Sequence, residues 1–456
     1  MRALLIAVLA LAGCSATAPP RPASTLDIPA AWRTQVGPAA QPEAAWWGAF
    51  GDPVLNQLVQ RALAHNGDLR IAAERLKEYQ ARVTVAASGQ QPALNAAFTP
   101  VRARAIGAFG TPVEATSIQG NLQASYELDL SGRLASTTAA ARADLQSQQA
   151  LADATALSVA ASTASGYLNL RGLDAQLALA RATLASRERS LALAKRQFEV
   201  GYSSRLDWAQ AQSEYHVTAA VVPQLERAIA QQENALGVLL GANPGPIARG
   251  AALDALAAPA IAPGLPSELL RRRPDIAQAE RAIAAADASL AAARGQLLPS
   301  IHLTASGGLQ AYSISQLLQS PNLLWSIGGS VLAPLFDGGR LRAQADIAAS
   351  LRDRAVFAYE TVVRNAFADT DNALSGVQRL GEQLAEAQQR RAAAAEVLRV
   401  AHNRYANGYA SYLEELDAQR NAFSADLAVL QLRAGLLGAH VDLYRALGGA
   451  WKGSWQ

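Results

Sequence analysis

The chain is nearly free of sulfur. Of 456 residues, one is cysteine, Cys14, and one is methionine, Met1. A lone thiol excludes an internal disulfide framework and any multi-cysteine metal site. Histidine is scarce as well: His65, His216, His302, His402 and His440 stand apart, with no second His or Cys at metal-ligand spacing. Aromatic residues make up 6% and charged residues 17%. Lys and Arg (40) exceed Asp and Glu (37) by only three, which excludes the strong basic excess of a nucleic-acid binder. No apolar run reaches the ~20 residues of a membrane-spanning helix. There is no Walker-type phosphate loop and no G-x-S-x-G, so the motifs support neither an enzyme nor a cofactor. What the chain has in excess is alanine, about a fifth of all residues and far above average usage.

The N-terminus reads as a targeting segment. Arg2 precedes a ten-residue apolar core, Ala3 to Ala12, followed by Gly13-Cys14. That core is too short to span a bilayer and suits a signal peptide. Because the only Cys closes it, Leu11-Ala12-Gly13-Cys14 resembles a bacterial lipobox, with Cys14 the expected site of lipidation and of a palmitate chain. Ser15, rather than Asp, points to the outer membrane. Pro19, Pro20 and Pro22 form a stiff tether.

The most informative feature is an internal repeat. Asp68-Leu69 matches Asp275-Ile276, Pro92 matches Pro299, and Gly132-Arg133-Leu134 matches Gly339-Arg340-Leu341. Gly201-Tyr202, Ala211-Gln212 and Leu240-Gly241 recur at Gly408-Tyr409, Ala418-Gln419 and Leu447-Gly448. Every pair has the same offset (275 − 68 = 207). The expected division is a signal peptide at 1–13, a lipid-anchored tether and equatorial segment at 14–51, a first repeat at 52–241, a proline-rich linker at 242–266, a second repeat at 267–448 and a tail at 449–456. Two copies are too few for a solenoid.

Each copy predicts the same elements. A helix of about twenty residues (68–87, 275–294) precedes the prolines Pro92 and Pro299. Two alternating segments follow, and then a Gly-Arg-Leu opens a helix of about 65 residues, ~100 Å long. Phe367, Leu374, Val377, Leu384, Leu398 and Tyr405 mark its seam in the second copy. The chain turns at Gly201-Tyr202-Ser203-Ser204 and at Asn407-Gly408-Tyr409-Ala410, and a return helix of roughly 35 residues follows each turn. Pro223 is expected to bend or break the first return helix. A return helix and a short helix, stacked end to end, nearly equal one long helix.

The alternating segments look like membrane strands. In 118–128 the even positions are apolar or small, with Gln119, Asn121, Gln123, Ser125 and Glu127 between them. Ile301, Leu303, Ala305, Gly307 and Leu309 alternate with His302, Thr304, Ser306, Gly308 and Gln310, and Trp325, Ile327, Gly329 and Val331 alternate with Ser326, Gly328 and Ser330. Each is about ten residues, the length of a tilted transmembrane strand. The segment 94–106 carries Arg102 and Arg104 in the outward phase and is expected to break at Pro100. Four strands cannot stand alone in lipid, because their edges leave backbone groups unpaired. Two copies would supply eight strands and three would supply twelve.

The repeat, the order of elements and three strings resemble the TolC-like outer-membrane efflux proteins, in particular their lipid-anchored branch. The strings are Leu265-Pro266-Ser267-Glu268-Leu269-Leu270-Arg271-Arg272-Arg273-Pro274-Asp275-Ile276, Pro334-Leu335-Phe336-Asp337-Gly338-Gly339-Arg340 and Ser411-Tyr412-Leu413-Glu414-Glu415-Leu416-Asp417-Ala418-Gln419-Arg420. The resemblance implies an α+β membrane protein. Its homotrimer would form a twelve-stranded β-barrel, four strands per chain, in the cell outer membrane, continued by a twelve-helix α-barrel across the periplasm. It implies a passive duct exporting small molecules such as drugs, in partnership with a periplasmic adaptor protein and an inner-membrane transporter, and without cofactor or metal. The alternatives are a duct for type I protein secretion and a structural hairpin or adaptor lipoprotein.

A duct needs a constriction at its periplasmic tip. Glu414, Glu415 and Asp417 lie within one turn just past Gly408. Repeated three times they would form a carboxylate ring that favours cations; a solvated acidic face is the equal alternative. The resemblance assigns Asp417 and Glu414 to the closed entrance, and Asp207 and Tyr405 to links between neighbouring hairpins in the shut state. A basic residue of that arrangement falls at Ala410 here, which leaves the link missing or passed to Arg205. Glu415, charged where relatives often carry an apolar residue, implies a more acidic entrance.

Overall fold

A computed structural model describes residues 20–34, 45–319 and 322–449. The signal segment, Cys14 and the C-terminal tail from residue 450 on lie outside the described residues. The chain is α+β. A short 3-10 helix, Trp46–Phe50, leads into α1 (Pro53–His65) and α2 (Gly67–Ser88). Strands β1 (Ala93–Ile106) and β2 (Pro112–Leu128) follow, then α3 (Arg133–Glu199) and α4 (Arg205–Leu239). After the linker come α5 (Pro266–Arg272), α6 (Pro274–Gly295), β3 (Ser300–Ala311), the single turn α7 (Ile314–Leu317) and β4 (Leu323–Leu332). Helices α8 (Arg340–Ala406) and α9 (Tyr412–Ala446) end the described chain. Both ends of α2, α3 and α4 reappear in α6, α8 and α9 at the same offset of 207 residues (274 − 67, 340 − 133 and 412 − 205).

The contacts divide the chain into two compact units. One gathers residues 74–149 and 278–361 with the segment up to Thr25; the other gathers 26–73, 150–277 and the chain from 362 on.

The first unit holds one antiparallel sheet in the order β1-β2-β3-β4. Its register brings the alternating positions onto common faces. Ala96 pairs with Leu122, Leu122 with Gly307 and Gly307 with Trp325. Likewise Leu94, Ala124, Ala305 and Ile327 form one row. The opposite face carries Asn95-Gln123-Ser306-Ser326 and Glu127-His302-Ser330. The Ser306 and Ser326 hydroxyls share a 2.8 Å hydrogen bond across that face. The apolar face is bare: Phe98 is 62% exposed, Trp325 73% and Ile327 79%. Such an area of uncovered aromatic and branched side chains is not stable in water.

Strand β1 differs from expectation. It runs unbroken through Pro100, which pairs with Ile118. As an edge strand of this sheet it tolerates proline, because half of its N–H groups face away from β2. Arg102 then finds Glu114 across the hairpin at 3.0 Å. The β1–β2 hairpin, 14 and 17 residues, is therefore longer than β3–β4, 12 and 10 residues.

The second unit is helical and alanine-packed. Trp46, 2% exposed, stacks on Tyr444 at 4.9 Å, and Trp47 and Phe50 are buried beside it, so the tryptophan pair is core. Asp52, fully buried, accepts from the Tyr167 hydroxyl at 2.6 Å, from Ala251 N at 3.0 Å and from Val54 N at 2.8 Å. It thereby caps α1 and fastens the linker to α3. Burial, and then the Asp52 partner, push the Tyr167 phenol up to about 12.

Helix α4 is not broken at Pro223. The missing N–H forfeits one backbone bond, but Thr218 and Leu225 on either side are buried and hold the helix in place. Helix α9 has a stretch apolar enough for a membrane span. Val429 and Leu436 of this helix form a buried cluster with Leu384 of α8.

The end-to-end helix stacking is visible as two joints of equivalent position. Asn66 donates to the last carbonyl of α4, Leu239 O, at 3.0 Å, while its Oδ1 accepts from Asp68 N at 2.8 Å in the first turn of α2. At the equivalent joint Arg273 donates to Ala446 O of α9 at 3.2 Å and forms ion pairs with Asp275 and Asp369. Each joint also needs a glycine. Gly241 (φ 64°) lies against the His65 carbonyl and Gly448 (φ 83°) against the Arg272 carbonyl, with no room for a Cβ. Gly241→Ala and Gly448→Ala should each lower stability by about 1–3 kcal/mol through backbone strain and backbone contact. Gly381→Ala, in the interior of α8 with open space at its Cβ, should instead raise it by about 0.5–1 kcal/mol. Thermal melting of the three variants checks the contrast.

Candidate gate at the helical hairpin turns

Both hairpin turns lie in the second unit and are built alike. Helix α3 ends at Glu199, Gly201 takes a left-handed φ of 78°, and Ser204 caps α4. Asp207 completes the box: its backbone donates to Ser204 Oγ at 3.2 Å, and its carboxylate accepts from Ser204 N at 3.2 Å. The second turn repeats the pattern with Gly408 (φ 75°) and Ser411, whose Oγ accepts from Glu414 N at 3.4 Å. Asp207 and Glu414 are equivalent positions, each serving its helix N-terminus.

The acidic cluster divides between two faces. Glu414 and Asp417, three apart, lie exposed on one side of α9. Asp417 accepts from Asn421 Nδ2 at 3.2 Å, and Arg404 lies 3.9 Å from Glu414. Glu415 corrects the expectation of a third entrance charge. It is 4% exposed and turned into its own hairpin, where His402 Nδ1 of α8 approaches it at 2.8 Å and Gln419 Nε2 of α9 donates at 2.9 Å. One step of 100° along a helix turns a neighbour away from the surface that Glu414 and Asp417 share.

Tyr405 connects the two hairpins. Its hydroxyl donates to Gln197 Oε1 of α3 at 3.2 Å, and its ring lies 5.6 Å from Tyr412. It packs on a cluster of Ala194, Ala211, Tyr412 and Leu416. Burial, then the charges of Glu415 and Asp207, push its phenol above the ordinary range. Arg205 stands exposed at the first position of α4, and Ala410 is half-buried.

Sequence reasoning missed one buried inter-hairpin contact. Glu214 of α4, 6% exposed, accepts from Arg420 of α9, with Arg420 Nε at 2.8 Å. The separation, 206 residues, is one short of the repeat offset, so alignment of the two copies sets these residues beside others rather than across from each other. The detectable signal was an ionisable residue, Glu214, in the core phase of an alanine-rich helix. Among the described residues no group of three His, Cys, Asp or Glu could hold a metal ion.

These contacts rank by burial. Arg420→Ala leaves the Glu214 carboxylate buried without its partner and should destabilise by about 1–3 kcal/mol. Tyr405→Phe removes one neutral hydrogen bond, about 0.5–1.5 kcal/mol. Asp417→Ala, on the exposed face, should stay within about 0.5 kcal/mol. Denaturant or thermal melts of the three variants test that order.

Comparison with known proteins places this architecture. The profile of the outer membrane efflux protein family matches residues 58–242 and again residues 265–449. The chain is 34% identical over 462 residues to the antibiotic efflux pump outer membrane protein ArpC of Pseudomonas putida, covering 98% of this chain and 95% of that one. Its fold superposes on a membrane protein from Pseudomonas aeruginosa with a TM-score of 0.86 at 33% identity, covering 95% and 100% of the two chains. It superposes on the open state of the Neisseria gonorrhoeae MtrE outer membrane channel with a TM-score of 0.82 at 30% identity, covering 93% and 100%. The chain, in both sequence and fold, belongs to the outer membrane efflux protein family.

Proposed function

We propose that three copies of this outer-membrane efflux protein close into a passive duct for small molecules, working with a periplasmic adaptor and an inner-membrane transporter. The sheet carries the reading. It has a bare apolar face, a polar face and two unpaired edges, β1 and β4. Joining β4 of one copy to β1 of the next pairs every edge, presents the apolar face to lipid and encloses the polar face around water. Twelve strands leave a channel, whereas eight would fill it with side chains. The helices add four staves per chain: α3, α8, and the pairs α2 with α4 and α6 with α9. Nothing in such a wall performs chemistry, so energy and cargo selection come from the partners. An antibiotic-like cargo rests on the likeness to ArpC. The division at 52–241 and 267–448, and Cys14 as a lipid anchor after removal of residues 1–13, belong to the same proposal.

Leu122→Arg and Leu303→Arg, on the apolar face, should each destabilise the assembled barrel by about 2–4 kcal/mol near the bilayer centre. Gln123→Arg and Thr304→Arg, on the polar face, should be tolerated. Heat-dependent dissociation of the outer-membrane oligomer measures both, and equal sensitivity of the two faces would refute the barrel.

The gate follows from the exposed pair Glu414 and Asp417. In a threefold assembly Asp417 forms a carboxylate ring at the entrance, and Tyr405 and Asp207 hold the hairpins shut. Asp417→Ala should weaken cation selectivity and block by multivalent cations in single-channel recordings. Asp207→Ala with Tyr405→Phe should raise the resting conductance. Unchanged selectivity in Asp417→Ala channels of verified trimeric state would place the ring elsewhere.

A further inference from the structure

We propose that Arg187 is the centre of an oxyanion site between the two helical hairpins, shaped for a phosphate-sized anion. Arg187 lies on α3, twelve residues before its end, and is 5% exposed. Its Nε and Nη1 are buried without a hydrogen-bond partner among the described residues. A guanidinium cannot shed its proton in a protein, so a buried one without partners is a large unfavourable term that calls for a ligand.

None of the nearby carboxylates hydrogen-bonds to its Nε or Nη1; each meets another group. Glu214 is held by Arg420, Glu415 by His402 and Gln419, and Asp426 by Arg391 at 2.7 Å. Burial disfavours the Arg187 charge more than the fields of Glu214 and Glu415 support it.

Arg187 lines a cavity of about 250 Å³ between α3, α8 and α9. Thr183, one helical turn before Arg187, and Ser186 both line it. Gln419 closes it from α9, with Oε1 buried and unpartnered. A guanidinium fork with two hydroxyl donors matches a tetrahedral oxyanion. The free amide oxygen matches the O–H of hydrogen phosphate. The space is below the ~300 Å³ of the smallest ordinary drug-sized pockets, which favours an inorganic anion over transported cargo. A bound anion would bridge α3 of one hairpin to α9 of the other and stabilise their packing by mass action.

The test uses the purified full-length protein in detergent, melted with inorganic phosphate against chloride at constant ionic strength. Phosphate should raise the melting temperature saturably. Arg187→Met, which replaces the charge with an apolar side chain of similar length, should abolish that response. In phosphate-free buffer it should melt at or above the wild type. Thr183→Val with Ser186→Ala leaves Arg187 in place and should weaken phosphate binding about tenfold or more by calorimetric titration. The proposal fails if the wild type shows no saturable response or if Arg187→Met keeps it. It also fails if Arg187→Met melts lower in phosphate-free buffer, the result expected if a carboxylate of a second copy already meets the guanidinium.

Discussion

An open sheet edge cannot face lipid. Each unpaired backbone N–H or C=O in hydrocarbon costs several kcal/mol, and the four-stranded sheet has two such edges, β1 and β4. The side chains on its outer face, Leu94, Phe98, Leu122, Trp325 and Ile327, are equally unsuited to water. The chain is therefore incomplete as a membrane element, and closure with further copies satisfies both demands at once. The long helices give those copies their common wall, which explains why a four-strand contribution is attached to two helices of 67 residues each.

The internal repeat solves one mechanical problem twice with different chemistry. A return helix must meet the next short helix head-on, where the carbonyl end of one dipole faces the amide end of the other. Asn66 does this with a neutral amide that donates to Leu239 O and accepts from Asp68 N. Arg273 does it with a buried cation on Ala446 O, balanced by Asp275 and Asp369. A cation at a helix C-terminus is favoured by the macrodipole, and the charges and hydrogen bonds of Asp275 and Asp369 outweigh the burial that disfavours it. The glycine beside each joint is the common part, because the abutting carbonyl leaves no space for a side chain.

Alanine-rich helices pack closely but without strong shape preference, since small side chains interdigitate in many registers. Polar pairs supply the selectivity that the alanines lack. Glu214 with Arg420, Glu415 with His402 and Tyr405 with Gln197 all join one hairpin element to another near the turns. Buried ion pairs add little net stability and are costly when mismatched. Their weight falls on which hairpin face meets which.

Local and periodic features were legible in the sequence because they rest on nearest-neighbour physics. The alternation of Leu122 with Gln123 and of Leu303 with Thr304 set the two faces of the sheet, and the register kept them. Gly201 and Gly408, followed by Ser204 and Ser411, marked the hairpin turns through left-handed backbone and helix capping. The common offset of the two copies foretold equal helices in both. Tertiary structure alone decided the rest. Pro100 and Pro223 are tolerated because an edge strand and a packed helix absorb a missing N–H, which no local rule registers. Glu415 looks like its neighbours Glu414 and Asp417 in the sequence but turns into the core, because its angular position meets His402 of another helix. The Glu214–Arg420 pair and the unpartnered Arg187 arise only where two hairpins touch, and long-range contacts between alanine-rich surfaces leave no periodic signal in either chain segment.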